Sequence, residues 1–333
     1  MSHHLLPGKS ESAYAQANGK TQRMTSENLP EVSVCVCTYK RPLLLLQLLE
    51  SLAEQSLSLA KFEVIVVDND GAGSAQPIVA QATQRFPELA VRYEIEPVRG
   101  ISYARNRSVS LATGKLLAFI DDDEWAVSHW LTDLLACMKK SGADAAFGPV
   151  IPQYPTGSQR WVIRSRFFDR PRFPTGTMIG CETCRTGNAL VRADRVKARQ
   201  PQPFDERLAL SGGEDHDFFK WCASAGGKFV WCDTAEVNEA VPLDRQSLHF
   251  ILERCFRTST RYWRDEYAGR PQWWALRKAI AGLIGGAGLI LLGALLLPFG
   301  LSQSVRAWSK GIKGLARAAA LKNVELIGYG KHP

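Results

Sequence analysis

The feature that most constrains the fold of this chain is a regular alternation between short apolar runs and longer stretches of helical length. The apolar runs, rich in β-forming residues, are 32–37, 62–67, 91–95 and 116–120, and the helical stretches include 43–52, 101–112 and 125–139. Strands that alternate with helices predict a doubly wound, largely parallel sheet, so we expect an α/β protein. Later segments that would complete this fold are the extended runs 145–150, 187–191, 228–232 and 237–241 and a helix at 246–262.

The net charge of the chain belongs to its C-terminal fifth. The sequence has 41 basic and 33 acidic residues and a formal net charge of +8. From Arg270 onward there are nine Lys or Arg residues and one acidic residue, Glu325, so the preceding part is neutral. This distribution argues against a nucleic-acid-binding body and predicts a basic tail with a partner of its own.

The same tail contains a long apolar segment. Ala279–Phe299 comprises 21 residues without a charge. As one helix it would extend about 32 Å, enough to cross the core of a bilayer. Trp273 and Trp274, with basic neighbours, precede it in the pattern of a membrane interface. A buried helix of a soluble protein is the alternative, but an apolar run of this length is seldom that, so the sequence predicts membrane attachment.

Two arrangements of this segment are open. A single span would put the basic residues that follow it on the far side of the membrane, against their tendency to stay cytoplasmic. Pro298 and several glycines permit a bend. Beyond them, four apolar residues share one helical face and three basic residues lie mostly on the other: Trp308, Ile312, Leu315, Ala319, and Lys310, Lys313, Arg317. We therefore favour a re-entrant or in-plane anchor beside anionic lipid, with both ends cytoplasmic.

These patterns divide the chain into three segments. We expect a disordered N-terminal tail at 1–30, an α/β domain at 31–265 and a basic, membrane-anchoring tail at 266–333. The first segment has no apolar run of signal-peptide length, and Met24 could be the true start of translation.

The eight cysteines are expected to be free thiols, since no signal peptide directs the chain to an oxidising compartment. Cys181 and Cys184, spaced as C-x-x-C, could instead form a zinc site with Cys222 and Cys232. A second C-x-x-C pair is absent, so the thiol interpretation is favoured.

Acidic residues follow two predicted strands at the sheet edge where α/β proteins bind ligands. Asp68 ends the second strand and could bond a base or a ribose, although the sequence Asp-Asn-Asp-Gly is also good turn chemistry. Asp121, Asp122 and Asp123 follow the fourth strand. One Asp could cap the helix predicted from Trp125, but capping does not need three. Clustered carboxylates call for a cation, and oxygen ligands favour Mg²⁺ or Mn²⁺ bridged to phosphates, so we predict a metal–diphosphate site.

The end of the first strand and the start of the helix at Glu214 limit the kinds of enzyme that this chain could be. The first strand ends in Thr38-Tyr39-Lys40-Arg41, where a dinucleotide-binding fold would carry G-x-G-x-x-G, and this argues against a dehydrogenase. Glu214 and Asp215 open a helix after two glycines. A carboxylate there can act as a general base, although acidic residues also stabilise the first turn of any helix.

Six short motifs occur in order between Val34 and about Arg257. They are Thr38-Tyr39-Lys40-Arg41-Pro42, Val67-Asp68-Asn69-Asp70, Gly100-Ile101-Ser102-Tyr103-Ala104-Arg105-Asn106, Phe119-Ile120-Asp121-Asp122-Asp123-Glu124, Thr186-Gly187-Asn188 and Gly212-Gly213-Glu214-Asp215. In this order they resemble family 2 glycosyltransferases, nucleotide-sugar enzymes with the GT-A fold. Residues 121–124 and 213–219 are most similar to the subgroup that builds succinoglycan-type bacterial exopolysaccharides.

The resemblance implies a role for each matching residue. The implied nucleotide-binding residues are Thr38, Tyr39, Arg41, Asp68, Arg105, Asp121 and Asp122. The implied ligands of Mn²⁺ or Mg²⁺ are Asp123, Asp121 and Glu239, of which the last stands where many relatives have a His. Asp215 would be the general base, with Glu214 assisting. Gly187 and Asn188 would lie in a loop beside donor and acceptor. Arg254 and Arg257, on the last predicted helix, could meet a diphosphate or a lipid-linked acceptor, or form a solvated basic face.

The expected function is a metal-dependent, inverting transfer of one sugar from a nucleotide sugar, a UDP-sugar, to a saccharide or polyprenyl-linked oligosaccharide. It would take place at the cytoplasmic face of the bacterial inner membrane, with membrane lipids as partners and no nucleic acid. One alternative is a sugar-phosphate nucleotidyltransferase, but the Gly-rich, basic loop that it would need after the first strand is absent. The other is a catalytically inactive, membrane-bound assembly partner.

Overall fold

The computed structural model of the chain describes residues 29–322. The predicted N-terminal tail up to residue 28, with Met24, and the last eleven residues of the C-terminal tail lie outside the described residues. The strands are β1 (Val32–Thr38), β2 (Phe62–Asp68), β3 (Val91–Ile95), β4 (Leu116–Phe119), β5 (Glu124–Ala126), β6 (Ala145–Phe147), β7 (Val150–Gln153), β8 (Ala189–Arg192), β9 (Phe229–Trp231) and β10 (Val237–Ala240). The helices are α1 (Pro42–Ala53), α2 (Gln76–Arg85), α3 (Ile101–Leu111), α4 (Trp130–Ser141), α5 (Arg160–Ser165), α6 (Ala193–Lys197), α7 (Glu214–Ser224), α8 (Leu248–Tyr267), α9 (Gln272–Leu295) and α10 (Leu301–Ala319).

The central sheet has seven strands in the order β3-β2-β1-β4-β8-β6-β9. β1 pairs in parallel with both β2 and β4, and β8 is antiparallel to its two neighbours. The chain therefore winds outward from β1 to β3 and then returns to β4 on the other side of β1. Ligands of open α/β sheets bind at such a reversal, outside the carboxyl ends of the strands. The predicted doubly wound, mostly parallel sheet is confirmed.

Alternate residues of the inner strands enter two cores, one on each face of the sheet, as the two-residue period of a strand requires. Val34 and Val66 pack with the leucines of α1, and Cys35 and Ile65 belong to the core that includes Phe218 of α7. Because both faces are covered, β1 and β2 are largely apolar and mostly buried.

A second sheet of three strands, β5-β10-β7, corrects two sequence predictions. Trp125 was expected to begin a helix, but residues 124–126 pair with β10, and α4 begins only at Trp130, with no side-chain cap. Residues 237–241 were expected in the main sheet, but β10 lies between β5 and β7 instead. Tertiary pairing with β10 thus overrides the local helical pattern.

The C-terminal helices α9 and α10 form an antiparallel hairpin in which two backbones touch. A Cβ added at Gly282 would lie 2.5 Å from the carbonyl oxygen of Gly314, and one at Gly286 would lie 2.7 Å from that of Gly311. Only glycine permits this approach, so the segment is a packed helix pair. The apolar helix ends at Leu295, before the predicted limit, because a proline follows at 298 and cannot continue a helix.

The two helices of the hairpin have different surroundings. α10 packs on α8 and α5, and the Arg306 guanidinium donates to the carbonyls of Arg164 and Ser165. The apolar face of α10 was expected at a lipid interface, but α9 covers it: the Trp308 Nε1 donates to the Ile290 carbonyl at 3.0 Å. In contrast, α9 exposes a row of large apolar side chains. Among residues 29–322 it is the one helix long and apolar enough to cross a membrane.

Candidate active site

The acidic segment after β4 folds into a tight turn at the carboxyl edge of the sheet. The Glu124 backbone N–H donates to the Asp121 carbonyl at 3.1 Å, and the Asp121 N–H donates to the Glu124 carboxylate at 2.9 Å. Asp122, Asp123 and Glu124 are each at least 94% buried. Four carboxyl groups are therefore concentrated at one corner of the sheet, and the three buried ones need nearby positive charge.

Arginine side chains from distant parts of the chain supply that compensation. The Arg41 Nη1 donates to Asp122 Oδ1 and Asp123 Oδ2, both at 3.0 Å, and the Arg245 Nη1 donates to Asp123 Oδ2 at 3.2 Å. The Thr38 hydroxyl donates to the other oxygen of Asp122 at 2.8 Å. Even so, burial raises the pKa of Asp122 to about 6, and Arg41 only partly opposes this. The turn thus retains unfavourable negative charge.

Arg105 of α3 joins this turn to the start of α7. Its guanidinium, 93% buried, donates to Asp121 Oδ1 at 3.2 Å and to Glu214 Oε1. The predicted nucleotide-binding arginine, a predicted metal ligand and a predicted catalytic carboxylate therefore meet at one group. Asp121 and Glu214, which are 16 and 109 residues from Arg105 in the sequence, both contact its guanidinium.

The start of α7 is shaped by two glycines with positive φ, Gly212 at 75° and Gly213 at 90°, which a larger residue would adopt only with strain. Glu214 is buried, and its Oε2 has no hydrogen-bond partner among residues 29–322. Burial raises the pKa of Glu214 to about 7, against the opposing charge of Arg105. Asp215 is half-buried and accepts the backbone N–H of His216 at 2.7 Å, so most of its acceptor capacity remains available.

Asp68 lies fully buried at the end of β2 and organises the loop that follows. Its carboxylate accepts the N–H groups of Asp70 at 3.0 Å and Ala75 at 2.8 Å, and the Tyr93 hydroxyl at 2.9 Å. A carboxylate has about four acceptor positions, so little capacity is left for a base or ribose. The contacts of Asp68 are therefore those of a residue that stabilises a turn, the alternative to a nucleoside-binding role.

Tyr39 presents its ring beside two cations at the end of β1. The Lys40 Nζ is 5.4 Å and the Arg99 guanidinium carbon 5.0 Å from the ring centroid. Lys40 adopts a positive φ of 54°, which turns the chain sharply at this strand end. An aromatic ring with two cations is suited to a base and its phosphates.

The loop before β8 approaches the acidic turn closely. A Cβ added at Gly187 would lie 2.6 Å from Glu124 Oε1 and 3.2 Å from Asp121 Oδ2, so these two oxygens face the same point. Glu124 Oε1 is buried and has no partner in the part of the chain that the structure describes. Two carboxylate oxygens that converge on a gap fit a divalent cation that completes its shell with phosphate oxygens and water.

Asn188, next in this loop, has a structural role. It adopts a positive φ of 76° and is 99% buried. Its amide donates to the carbonyls of Pro149 and Ala235 and accepts from the Trp130 Nε1 at 2.8 Å. All side-chain bonding capacity is directed into the protein, so a ligand at this loop would meet Gly187 and the backbone.

Glu239 and the two predicted arginines of α8 lie on the side of β10. Glu239 pairs in register with Glu124, and the Arg170 Nη2 donates to it at 2.8 Å. Arg254 stacks 5.9 Å from the Phe168 ring, and Arg257 lies 3.6 Å from the Glu253 carboxylate. Arg254 and Arg257 therefore belong to a separate wall of the site from the Gly187 loop.

The structure also tests the cysteine alternatives. All eight cysteines are free thiols, as expected. Among residues 29–322, no group of three or more His, Cys, Asp or Glu side chains is arranged to hold a metal ion.

Sequence reasoning missed the compensating residues Arg170 and Arg245 and the Arg99 guanidinium beside Tyr39. It also missed Glu124 as a member of the convergent pair. Arg170 and Arg245 occur in irregular segments without periodicity or motif. No signal in the sequence could have paired them with Glu239 and Asp123, from which they are separated by 69 and 122 residues. Glu124 was visible in the motif but was not distinguished from its neighbours.

Comparison with known proteins identifies relatives of this chain. The family model "Glycosyl transferase family 2" matches residues 33–194. The chain is 36% identical over 268 residues to the succinoglycan biosynthesis protein ExoM of Rhizobium meliloti, covering 79% of this chain and 84% of that protein. It is 28% identical over 287 residues to the glycosyltransferase AglE of Haloferax volcanii, covering 85% and 87% of the two chains.

Solved structures are similar in fold. The mannosyltransferase PcManGT from Pyrobaculum calidifontis, in complex with GDP-Man and Mn²⁺, aligns with a TM-score of 0.60 at 18% identity over 87% of this chain and 86% of that one. Residues 1–349 of S. aureus TarS, in complex with UDP, align with a TM-score of 0.52 at 18% identity over 88% and 91%. The structural likeness supports the fold, and the sequence matches support the family: the chain belongs to glycosyl transferase family 2 and has the GT-A fold.

Proposed function

We propose that this glycosyltransferase moves one sugar, with inversion, from a UDP-sugar to a lipid-linked saccharide, and that it requires Mn²⁺ or Mg²⁺. The observation that carries this proposal is the Arg105 bridge between Asp121 and Glu214. It brings the residues predicted for the donor diphosphate and those predicted for the acceptor within reach of one guanidinium. An anomeric carbon between the two would face a carboxylate on one side and its leaving group on the other.

On the donor side, Arg41 and Arg105 would offset the diphosphate charge, and Tyr39 with Thr38 would hold the nucleoside. Asp68 would contribute mainly by shaping the loop. TarS is described with UDP and PcManGT with GDP-Man, so both nucleotides belong in the test.

For the metal, the chain offers Asp121 and Glu124. The other two predicted ligands, Asp123 and Glu239, accept hydrogen bonds from arginines. The convergence of Glu124 Oε1 and Asp121 Oδ2 beside Gly187 supports this assignment. When bound, the cation would offset negative charge that develops on the departing nucleoside diphosphate, so no general acid is needed. Burial raises the pKa of Glu124, which supports a site where added positive charge would be stabilising.

On the acceptor side, Asp215 would take the proton from the attacking hydroxyl. Its half-buried position and its single hydrogen bond to the His216 N–H leave a carboxylate oxygen available for this step. Glu214, held by Arg105, would position the start of α7. A single base and a single displacement at the anomeric carbon invert its configuration.

We further propose that residues 31–265 carry the catalysis and that residues 266–333 attach them to the cytoplasmic face of the membrane, with α9 in the membrane plane. A single span would separate α10 from the catalytic body by a bilayer. The packing of α10 on α8 and the hydrogen bonds of Arg306 to α5 support the in-plane arrangement. The exposed apolar face of α9 would contact lipid, with Ile284, Leu291 and Leu295 each at least 67% exposed.

The test uses the purified full chain with a panel of UDP- and GDP-sugars, a lipid-linked acceptor extract, and Mn²⁺, Mg²⁺ or a chelator. Metal-dependent release of nucleoside diphosphate with a glycosylated lipid would support the proposal, and full activity in chelator would contradict the metal assignment. Release or consumption of pyrophosphate would indicate a nucleotidyltransferase. Absence of any turnover would indicate an inactive assembly partner.

The attachment is tested separately with a cysteine introduced at Lys322, in a background without accessible thiols. In intact cells, an impermeant thiol reagent should fail to label it until the cells are opened. Labelling from outside would contradict the in-plane arrangement.

A further inference from the structure

A cavity of about 170 Å³ lies where the catalytic body meets the C-terminal hairpin. Its walls come from four separate parts of the chain: the loop at 167–170, Glu239 of β10, α8 and α10. Phe167 and Phe168 form an apolar side of it, and Arg254 and Lys313 contribute cations from the two helices. The cavity is therefore both partly aromatic and basic.

The positive charge of this cavity is not balanced by its acids. Asp169 is paired with Arg166 at 2.6 Å, and Glu239 with Arg170 at 2.8 Å. Neither Arg254 nor Lys313 has a hydrogen-bonded or ion-paired acid within residues 29–322. Burial lowers the pKa of Arg254; the charge of Glu239 opposes this, and the neighbouring cations, Arg170 among them, act in the same direction as burial. Glu239 is already paired with Arg170, so the partly buried Arg254 guanidinium has no direct ion pair, and a bound anion would offset the cost of burying it.

The cavity is connected to the proposed reaction centre. Arg170, in its wall, bonds Glu239, and Glu239 lies in register with Glu124 of β5. Glu124 in turn accepts the Asp121 N–H. An anion bound at Arg254 would thus be linked to the acidic turn through Arg170 and Glu239. On its other side it would face Lys313 of α10, one of the two hairpin helices.

We propose that this cavity binds the phosphate or diphosphate group of a lipid, and that the lipid is the one that carries the acceptor saccharide. The inference rests on the proposed function, since it assigns the acceptor lipid of that reaction. Guanidinium and ammonium groups are the usual partners of phosphate oxygens, and the aromatic side suits the first carbons of the lipid chain. The hairpin would then do more than attach the enzyme, because α10 itself contributes a ligand.

The test measures binding without turnover. Farnesyl phosphate, farnesyl diphosphate and inorganic pyrophosphate are titrated separately into the full chain in neutral detergent, and phosphatidylglycerol vesicles are tested by co-sedimentation. The variants are Arg254→Gln and Lys313→Gln, and the second keeps the test valid if the first fails to fold. Lys310→Gln is the matched control, because Lys310 is an exposed lysine one turn earlier on α10 that does not line the cavity.

We expect the affinity for farnesyl diphosphate to fall about tenfold or more in Arg254→Gln, and by less in Lys313→Gln, as for the loss of a charged hydrogen bond. UDP affinity should be unchanged in both variants, and Lys310→Gln should behave as the wild type. Unchanged farnesyl diphosphate affinity in both cavity variants, or an equal loss in Lys310→Gln, would overturn the proposal. An equal loss of UDP affinity would do so too, because the cavity would then serve the donor.

The remaining arms separate the sources of phosphate. Pyrophosphate that binds as tightly as farnesyl diphosphate would contradict recognition of a lipid. Arg254-dependent binding of phosphatidylglycerol vesicles without binding of the farnesyl probes would assign a phospholipid headgroup and overturn the acceptor assignment. If the farnesyl probes bind as expected but no sugar is transferred, the proposed function fails while the phosphate site stands.

Discussion

The active-site edge and the α9–α10 hairpin are stabilised by opposite kinds of contact. At the edge, buried carboxylates are matched to arginines at defined distances, as in the 3.0 Å bond between Arg41 and Asp122. In the hairpin, two backbones touch at glycines, and a single added methyl group would overlap a carbonyl oxygen. The edge therefore depends on charge and the hairpin on volume.

Because of this difference, sugar transfer and membrane attachment should respond to different substitutions. A substitution that changes charge at the edge while keeping volume should stop transfer and leave membrane attachment intact. A substitution that adds volume in the hairpin should weaken attachment and leave donor hydrolysis intact. The four predictions that follow test this separation, in order of decreasing effect.

Asp215→Asn keeps the volume of the side chain but removes a useful proton acceptor. We expect kcat for transfer to fall by ~10²–10⁴-fold, the usual contribution of a general base, with donor affinity and membrane association retained. The matched control is Asp217→Asn on the same helix, which breaks a surface pair with Arg199 and should leave turnover nearly normal. Near-normal turnover of Asp215→Asn would move the base to another residue.

Gly187→Ala would fill the gap between two carboxylates without changing charge. Its Cβ would lie 2.6 Å from Glu124 Oε1 and 3.2 Å from Asp121 Oδ2. We expect Mn²⁺-dependent UDP binding, measured by calorimetry, to weaken by roughly ten- to hundredfold, the scale for a disturbed ligand shell. In the control Gly71→Ala the nearest atoms are 3.9 Å away, so affinity should hold. Wild-type affinity in Gly187→Ala would mean that the gap is not a cation site.

Gly286→Ala and Gly285→Ala test the hairpin with neighbouring residues. At Gly286 the new Cβ would approach the Gly311 carbonyl oxygen to 2.7 Å, whereas at Gly285 nothing lies within 4 Å. Overpacking of about 1–3 kcal/mol should lower the melting temperature of Gly286→Ala by a few degrees and reduce co-sedimentation with vesicles. Gly285→Ala should be neutral or slightly stabilising, since alanine is the better helix former. Equal behaviour of the two variants would rule out close backbone packing.

The smallest effect concerns the pH dependence of stability. Burial raises the pKa of Glu214 to about 7 from a usual value of 4.5. Between these values the folded chain holds a proton that the unfolded chain has released, so the free energy of unfolding falls as pH rises from 4.5 to 7. Melting temperatures across this range should therefore decline more steeply for the wild type than for Glu214→Gln. Parallel profiles would show that Glu214 is already ionised in the folded state.

Predictions based on local sequence patterns were confirmed where local residues decide the structure, and those that depended on contacts between distant parts of the chain were wrong or incomplete. The order of strands and helices up to α3 was predicted because each element has its own apolar period. The helix expected from Trp125 was wrong because β10, more than 100 residues later, pairs with that segment. The apolar face of α10 was correctly predicted from the spacing of its residues, but it packs on α9 rather than on lipid.

By itself, the sequence determined the α/β class, the position of the Asp121–Asp123 cluster at the end of a strand, and the family, because these depend on local periodicity and on residue types in a fixed order. Only the tertiary structure decided which cation meets which carboxylate and which face of the hairpin stays exposed. Arg105, Arg170 and Arg245 reach their partners across 16 to 122 residues of chain. A side chain gives no sign in the sequence of the distant group it will neutralise, because that pairing exists only once the intervening chain has folded.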